Sequence, residues 1–287
     1  MHRIDLHTHS HCSDGSLSPQ ALVEAAHAAG VTLLALTDHD SVAGNAAAAQ
    51  RAAELGMGFW PGVELSVHWP RPAGPGAAAP GGRAVVIHVV GLQVQANPVL
   101  EALLCRQQQA RGRRGQQICA RLQQRLGADP WPEVLAAAQQ QPEAVSRTHI
   151  AQWLHRQGHV RSVQQAFDRW LGTGKPAHVQ PDWCTLAEGI AAIRQAGGRA
   201  VLAHPTRYGL SATHTRLLVA AFAGAGGDAL ELPDLQVPVA SRDMVARLCV
   251  QHGLQASVGS DFHGPHLHWR RLGQVPPLPA GLQLLGH

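Results

Sequence analysis

Short apolar runs alternate with longer helix-periodic segments along most of this chain, and that alternation restricts the fold more than any other feature. Residues 2–7 read as a strand, followed by a loop rich in His, Ser and Asp. Ser18 then Pro19 give an N-cap and first-turn signal, and Gly30 closes the helix they start. VTLLALT at 31–37 reads as a second buried strand, and the alanine-rich 42–55 as a second helix ending at Gly56. A third strand covers 57–67 and a fourth 83–92. The RPAGPGAAAPGG between them is too poor in packing side chains to form ordered structure. From Asn97-Pro98 to about Leu171 only helical signals occur, with Arg- and Gln-rich surfaces. The alternation then resumes, with helices at 185–196, 211–223 and 239–252 and strands at 198–204, 228–232 and 254–260. Such alternation predicts a parallel sheet or barrel. The chain is therefore expected to be an α/β barrel built from 1–97 and 172–287, split by an all-helical insertion over 98–171. No internal repeat is visible.

Hydrophobic residues make up 45% of the 287, enough for a core of this size. Aromatics are only 4%, so that core rests on Ala, Leu and Val. The formal charge of +4 suits an anionic substrate without deciding on one. Cys12, Cys105, Cys119, Cys184 and Cys249 are odd in number, widely spaced and free of any CxxC pair. That argues against a disulfide framework or a zinc-thiolate site and fits a reducing cytoplasm. MHRIDLHTHS offers no apolar stretch for a signal peptide, and no run approaches the roughly 18 apolar residues of a membrane span. A cytoplasmic protein with no membrane contact and no obligate protein partner is expected.

The composition is unusual in its 19 histidines against a single tyrosine. Several of them fall where predicted strands end. The first strand runs into His7 and His9, the second into Asp38-His39-Asp40, and the third carries Glu64 after Pro-Gly-Val. His88 interrupts an otherwise apolar fourth strand, His204 follows AVLA, and the last strand runs into Ser260-Asp261-Phe262-His263. Catalytic groups of parallel α/β barrels sit at this end of the strands. An extended HxH places both imidazoles on one face, because strand side chains repeat with period two. Any one of these residues has a bland reading: His88 in VVIHVV as a hydrogen-bonded core histidine, Glu64 as an exposed strand end. Their joint occurrence does not, since burying so many polar groups without a partner is costly and cations supply the partner. Nitrogen and carboxylate oxygen without thiolate favour Mn, Fe or Zn.

DLHTHSHCSDGSLSP, LALTDHDSVAG, GVELSV, IHVVGL, AHP and GSDFHG resemble, in order, the motifs of the PHP (polymerase and histidinol phosphatase) domain. The resemblance covers roughly 1–97 and 172–287. The TDHDS turn and the helical insertion look most like its stand-alone nucleotide-phosphatase and exonuclease branch. It implies a distorted (β/α)7 barrel holding two to three divalent ions, manganese first, with iron or zinc as alternatives. Carried over residue by residue, His7, His9, Glu64 and Asp261 would hold one ion. Glu64 would bridge to a second with His88 and His204, and Asp14, His39 and His263 would hold a third. The segment ELPDLQVP at 231–238 departs from the pattern, lacking the aromatic or histidine expected there. That puts substrate contacts from this loop in doubt, not the metal ligands.

SRTHIA at 146–151 and GTGKPAHV at 172–179 resemble phosphate-binding segments of the same family, which makes Arg147, His149 and Lys175 candidates, with Arg207 of HPTRY beside them. GTGK is not a P-loop, because the rest of that motif is absent. Arg106, Arg111, Arg113, Arg114, Arg121 and Arg125 lie on one predicted helix, either as a solvated face or as a guide for nucleotide or RNA. Asp40 and His204 are the candidates for protonating a leaving alkoxide. The expected activity is metal-dependent removal of the 3′-phosphate from nucleoside 3′,5′-bisphosphates. The alternatives are 5′→3′ exonuclease action on short RNA and, in a different class, a non-catalytic metal-binding module.

Overall fold

The computed structural model describes residues 3–72 and 84–286, so most of the Pro/Gly/Ala loop lies outside the described residues. The chain begins with β1 (Ile4–Asp5), α1 (Pro19–Ala28), β2 (Leu33–Leu36), α2 (Asn45–Glu54), β3 (Gly58–Pro70) and β4 (Ala84–Leu92). A helical stretch follows: α3 (Pro98–Leu126), α4 (Trp131–Ala137), α5 (Arg147–Arg156) and α6 (Val163–Ala166), the last running into a π-helical turn at Phe167–Leu171. The return to the sheet is made by β5 (Cys184–Thr185), α7 (Leu186–Gln195), β6 (Arg199–Leu202), α8 (Ala212–Gly224), β7 (Ala229–Glu231), α9 (Val239–His252) and β8 (Gln255–Ser257).

The sheet order is β1-β2-β3-β4-β6-β7-β8, with β5 pairing separately with β3. Neighbours are parallel from β1 to β3 and from β6 to β8, but β4 runs antiparallel to both β3 and β6. The alternation predicts a parallel sheet or barrel, and β4 is the one strand on this path that departs from parallel pairing. The register pairs Pro70 with Ala84, so the loop leaves and re-enters at one end of the sheet, and such a connection makes its strands antiparallel. The sheet curls until its ends meet. Thr8 bridges Phe262 in parallel, His9 N–H donates to Phe262 O at 2.9 Å, and Leu6 N–H donates to Val258 O at 3.0 Å. The result is a distorted seven-stranded α/β barrel.

The barrel core is aliphatic, as the composition requires: Leu6, Leu65, Ile87, Leu92 and Leu202 are fully buried, and Phe222 is its one large fully buried ring. Each such side chain contributes about 1.5–3 kcal/mol relative to exposure. The start of α3 joins this core through Leu100, Leu103 and Leu104. Its later turns pack in a second cluster with Val134, Ile150, Trp153 and Leu171. Asn97 caps α3 by accepting from Val99 N–H, and Gly127 ends it in the left-handed conformation at φ 76°. Among the described residues no helix is long and apolar enough to cross a membrane.

Candidate active site

The strand ends converge on Glu64, which is 0% exposed. Its Oε2 lies 3.2 Å from His7 Nε2, 3.2 Å from His9 Nε2 and 3.1 Å from His39 Nδ1. Its Oε1 lies 3.0 Å from His88 Nδ1 and 3.1 Å from His204 Nε2. Asp261 Oδ1 stands 3.3 Å from His9 Nε2, and Asp14 Oδ1 stands 3.3 Å from His263 Nε2. All nine ligand candidates fall into four groups whose donor atoms lie within 4.8 Å of one another: His9-Asp14-His39-His263, His7-His9-Asp261, His7-Glu64-His204 and His39-Glu64-His88. The partition differs from the sequence expectation: His9 joins the Asp14 group, Glu64 is absent from the His7-His9-Asp261 group, and His7 and His39 join the two groups of Glu64. His88 and His204 each meet Glu64, but in separate groups, so Glu64 is the bridge.

Local structure explains how these side chains reach one point. Thr8 lies between His7 and His9 and turns the other way, donating through Oγ1 to Ala35 O at 2.6 Å, so the two imidazoles share a face. Gly259 passes so close to β1 that a Cβ there would lie 2.2 Å from the Cβ of His7. Asp40, His204 and Asp261 hold φ of 49°, 28° and 52°, the left-handed region that non-glycine residues rarely adopt. Three such residues on separate elements around one cluster mark backbone strain concentrated at a functional site.

Burial opposes ionisation of Glu64, but His7, His39 and His88 outweigh it and hold its carboxyl well below the usual range. Asp14 is held down in the same way by His263 and His39, and Asp261 by Arg270 and His7. Burial also opposes charge on His7, yet Glu64, Glu231 and Asp261 together raise it well above its ordinary value. Burial keeps His39 well below its own. The neighbouring imidazoles and Arg270 thus favour the ionised form of all three buried carboxyl groups. Asp14 Oδ1, His39 Nδ1, Glu64 Oε2, His88 Nδ1 and His204 Nδ1 are buried with no hydrogen-bond partner. Unsatisfied atoms at this density are costly, and divalent cations coordinated by nitrogen and oxygen would satisfy them. The donor set fits a metal cluster.

Glu231, Tyr208, Arg270 and Thr148 escaped the sequence reading, and Asp38 and Arg207, named there, take supporting places. Glu231 Oε2 lies 2.6 Å from His7 Nδ1, fixing the ring so that Nε2 faces the cluster. Tyr208 Oη accepts from His88 N–H at 2.9 Å and donates to Ala203 O at 2.7 Å, tying β4 to the end of β6. Asp38 accepts from Ser10 N–H at 2.8 Å and from Ser13 Oγ at 2.6 Å, which shapes the turn after His9. Arg270 contacts the Asp261 carboxylate beside Arg207, whose Nη1 donates to it at 2.9 Å. Thr148 of α5 donates to Asp14 Oδ2 at 3.2 Å, so the helical stretch touches the cluster directly.

A cavity of about 410 Å³ opens over the cluster. His39, His88, His204 and Asp261 line one side, and Arg111, Arg114 and Arg147 from α3 and α5 line the other. The remaining substrate candidates separate here. Arg147 and Arg207 line the cavity; His149 and Lys175 do not. His149 sits at the third position of α5, where its Nδ1 accepts from Ser146 N–H at 3.2 Å as half of a capping box. Lys175 is exposed, in a turn where its N–H donates to Gly172 O at 3.0 Å. Asp40, weighed as a proton donor, is 0% exposed and does not line the cavity. It pairs with Arg111 and accepts from Ser66 N–H at 2.9 Å. Of the helix arginines, Arg106, Arg113, Arg121 and Arg125 face solvent, while Arg111 and Arg114 turn inward over Trp183 at 5.1 and 5.9 Å. Burial, with Arg147 and Arg111 nearby, pushes Arg114 down to about 9.

Comparison with known proteins agrees with this geometry. Residues 5–175 match the PHP domain family. A 5′-3′ exoribonuclease Rnm of Escherichia coli (strain K12) is 39% identical over 284 residues, covering 97% of this chain and 91% of the relative. A 3′,5′-nucleoside bisphosphate phosphatase of Chromobacterium violaceum is 37% identical over 286 residues, covering 97% and 93%. A solved structure of an amidohydrolase from Chromobacterium violaceum, with bound sulfate and no metal, superposes with a TM-score of 0.88 at 36% identity, covering 98% of this chain and 94% of that one.

Proposed function

Because this chain belongs to the PHP domain family and is a metal-dependent phosphoesterase, we propose that it removes the 3′-phosphate of nucleoside 3′,5′-bisphosphates and leaves the nucleoside 5′-monophosphate. The observation that carries this reading is the two-sided cavity, with a cation-binding cluster facing a wall of arginines. Among the described residues Arg114 and Arg147 have no carboxylate partner. A substrate with two phosphates answers both walls at once. The relative that bears this activity in its name is 37% identical along nearly the whole chain.

His7, His9, Asp14, His39, Glu64, His88, His204, Asp261 and His263 would hold two to three divalent ions, with manganese first as the family resemblance implies and iron or zinc equally compatible with the donors. Such ions, when bound, supply positive charge for the phosphoryl oxygens and make water acidic enough to attack phosphorus near neutral pH. Arg114 and Arg147 grip the non-reacting 5′-phosphate by charge-assisted hydrogen bonds and so orient the 3′-phosphate over the cluster. Arg207 lies against Asp261 at the cavity edge, within the same positive field. As the bond from phosphorus to the 3′ oxygen breaks, that oxygen needs a proton. His204 lines the cavity, whereas Asp40 does not and is sequestered by Arg111. His204 is the donor this arrangement favours.

A second reading is favoured by the 39% identity to exoribonucleases: the ester cut would then join a 5′-phosphorylated nucleotide to the next one. The two readings share a 5′-phosphate on the arginines and a 3′ oxygen as leaving group, and differ in whether the attacked phosphorus also carries the next nucleoside. Phosphate and nucleotide release from adenosine 3′,5′-bisphosphate, adenosine 3′-monophosphate and 5′-phosphorylated oligoribonucleotides, with manganese present, separates them. The bisphosphate should exceed the 3′-monophosphate by at least ~10-fold in kcat/KM, about 1.4 kcal/mol. Equal turnover of the two removes the bisphosphatase reading.

A further inference from the structure

The cavity does not end at the arginine wall. A second chamber of about 280 Å³ adjoins it, sharing Val86, Arg114, Arg147 and Tyr208 with the first and adding Arg71, His178 and Gln180. Its described lining holds three arginines, Arg71, Arg114 and Arg147, and no carboxylate. None of the three forms an ion pair with Asp or Glu among the described residues. Arg114 and Arg147 therefore face two spaces, one ending on the ligand cluster and one ending on Arg71. Gathering guanidinium groups without counter-ions is unfavourable, and their planar donors match phosphate oxygens. A single phosphate between Arg114 and Arg147 leaves Arg71 and the far side of the pair unanswered.

We propose that this chamber is a subsite for a further phosphoryl group, so that the enzyme also takes a nucleoside 3′-phosphate bearing a 5′-diphosphate. The inference rests on the reading above, in which the 5′-phosphate lies on the arginine wall. The α-phosphoryl group occupies the space between Arg111, Arg114 and Arg147, and the β-phosphoryl group extends past the shared pair towards Arg71. The reaction is unchanged: water adds to the 3′-phosphorus, the bond to the 3′ oxygen breaks, and that oxygen leaves with a proton.

The test compares phosphate release from adenosine 3′-phosphate 5′-diphosphate and adenosine 3′,5′-bisphosphate by the manganese-loaded enzyme. The diphosphate should match or exceed the bisphosphate in kcat/KM, and Arg71→Ala should lower the ratio of the two by about 10-fold. Arg71→Lys should keep most of the ratio, and unchanged melting would show that the variants are folded. Independently of turnover, calorimetry should find adenosine 5′-diphosphate binding ~10-fold tighter than the 5′-monophosphate, with the difference lost in Arg71→Ala. Turnover of the bisphosphate with rejection of the diphosphate, or a ratio that Arg71→Ala leaves unmoved, overturns the subsite while the parent reading stands. If neither substrate is turned over the parent reading falls, and the calorimetric comparison alone decides the subsite.

Discussion

The two walls of the cavity come from different parts of the chain and satisfy their charges in different ways. The barrel wall gathers imidazoles and carboxylates from strand ends up to 256 positions apart, His7 to His263, and aims them at Glu64 through partners such as Glu231 and Tyr208. The helical wall offers three arginines from α3 and α5, of which, among the described residues, only Arg111 has a carboxylate, Asp40. One wall holds donor atoms that need cations, and the other holds cations that need an anion. The contrast separates two kinds of unmet charge: donor atoms suited to cations on the barrel, and guanidinium groups suited to an anion on the helices.

The largest expected effect breaks the barrel side alone. Chelation of divalent metal should lower phosphate release by about 10³-fold or more, some 4 kcal/mol of transition-state stabilisation, with recovery on adding manganese. Elemental analysis should then find two to three ions per chain, and activity that survives in metal-free protein would end the comparison. Asp40→Ala acts at the joint between the walls. Leaving Arg111 buried without its partner should cost about 3 kcal/mol in urea unfolding, with a higher KM and a smaller change in kcat. A general acid would show the reverse, a collapse of kcat at unchanged stability.

Arg147→Ala tests the helical side. Loss of one charge-assisted contact of about 2 kcal/mol should raise KM for the bisphosphate ~30-fold while metal content stays constant. Loss of metal in that variant would merge the two walls into one unit. Glu231→Gln removes the carboxylate that orients His7, and metal affinity in a competition titration should fall ~10-fold. Lys175→Ala should change kcat/KM by no more than about twofold, since the side chain is exposed and outside the cavity. A larger drop would place a third element at the substrate.

Most of the ligand candidates were legible because they sit in or just after apolar runs, where strand periodicity directs alternate residues to one face, whereas Asp14 lies in a polar loop and was reached only through the family resemblance. His7 and His9, or Asp261 and His263, declare themselves within three letters. Glu231 did not, although it ends β7, because ALEL reads equally well as an edge of apolar strand and only the closed barrel brings it to 2.6 Å from His7. The helical wall was harder still. Six arginines share α3, and which of them turn inward depends on how that helix is rotated against α7 and the barrel core, a matter of packing at Leu100, Leu103 and Leu104.

By itself the sequence determined the strand–helix alternation, the helical interruption at 98–171, and the residue types available for a metal cluster, because these depend on local periodicity and on the chemistry of each side chain. Only the tertiary structure decided that β4 runs against its neighbours, that Asp40 belongs to Arg111, and that Lys175 is exposed and does not line the cavity. Asp40 and Arg111 are 71 positions apart, and nothing in the spacing between them encodes the contact. It exists because the curled sheet and the packed start of α3 bring both groups to one buried place, where each charge without the other would be costly.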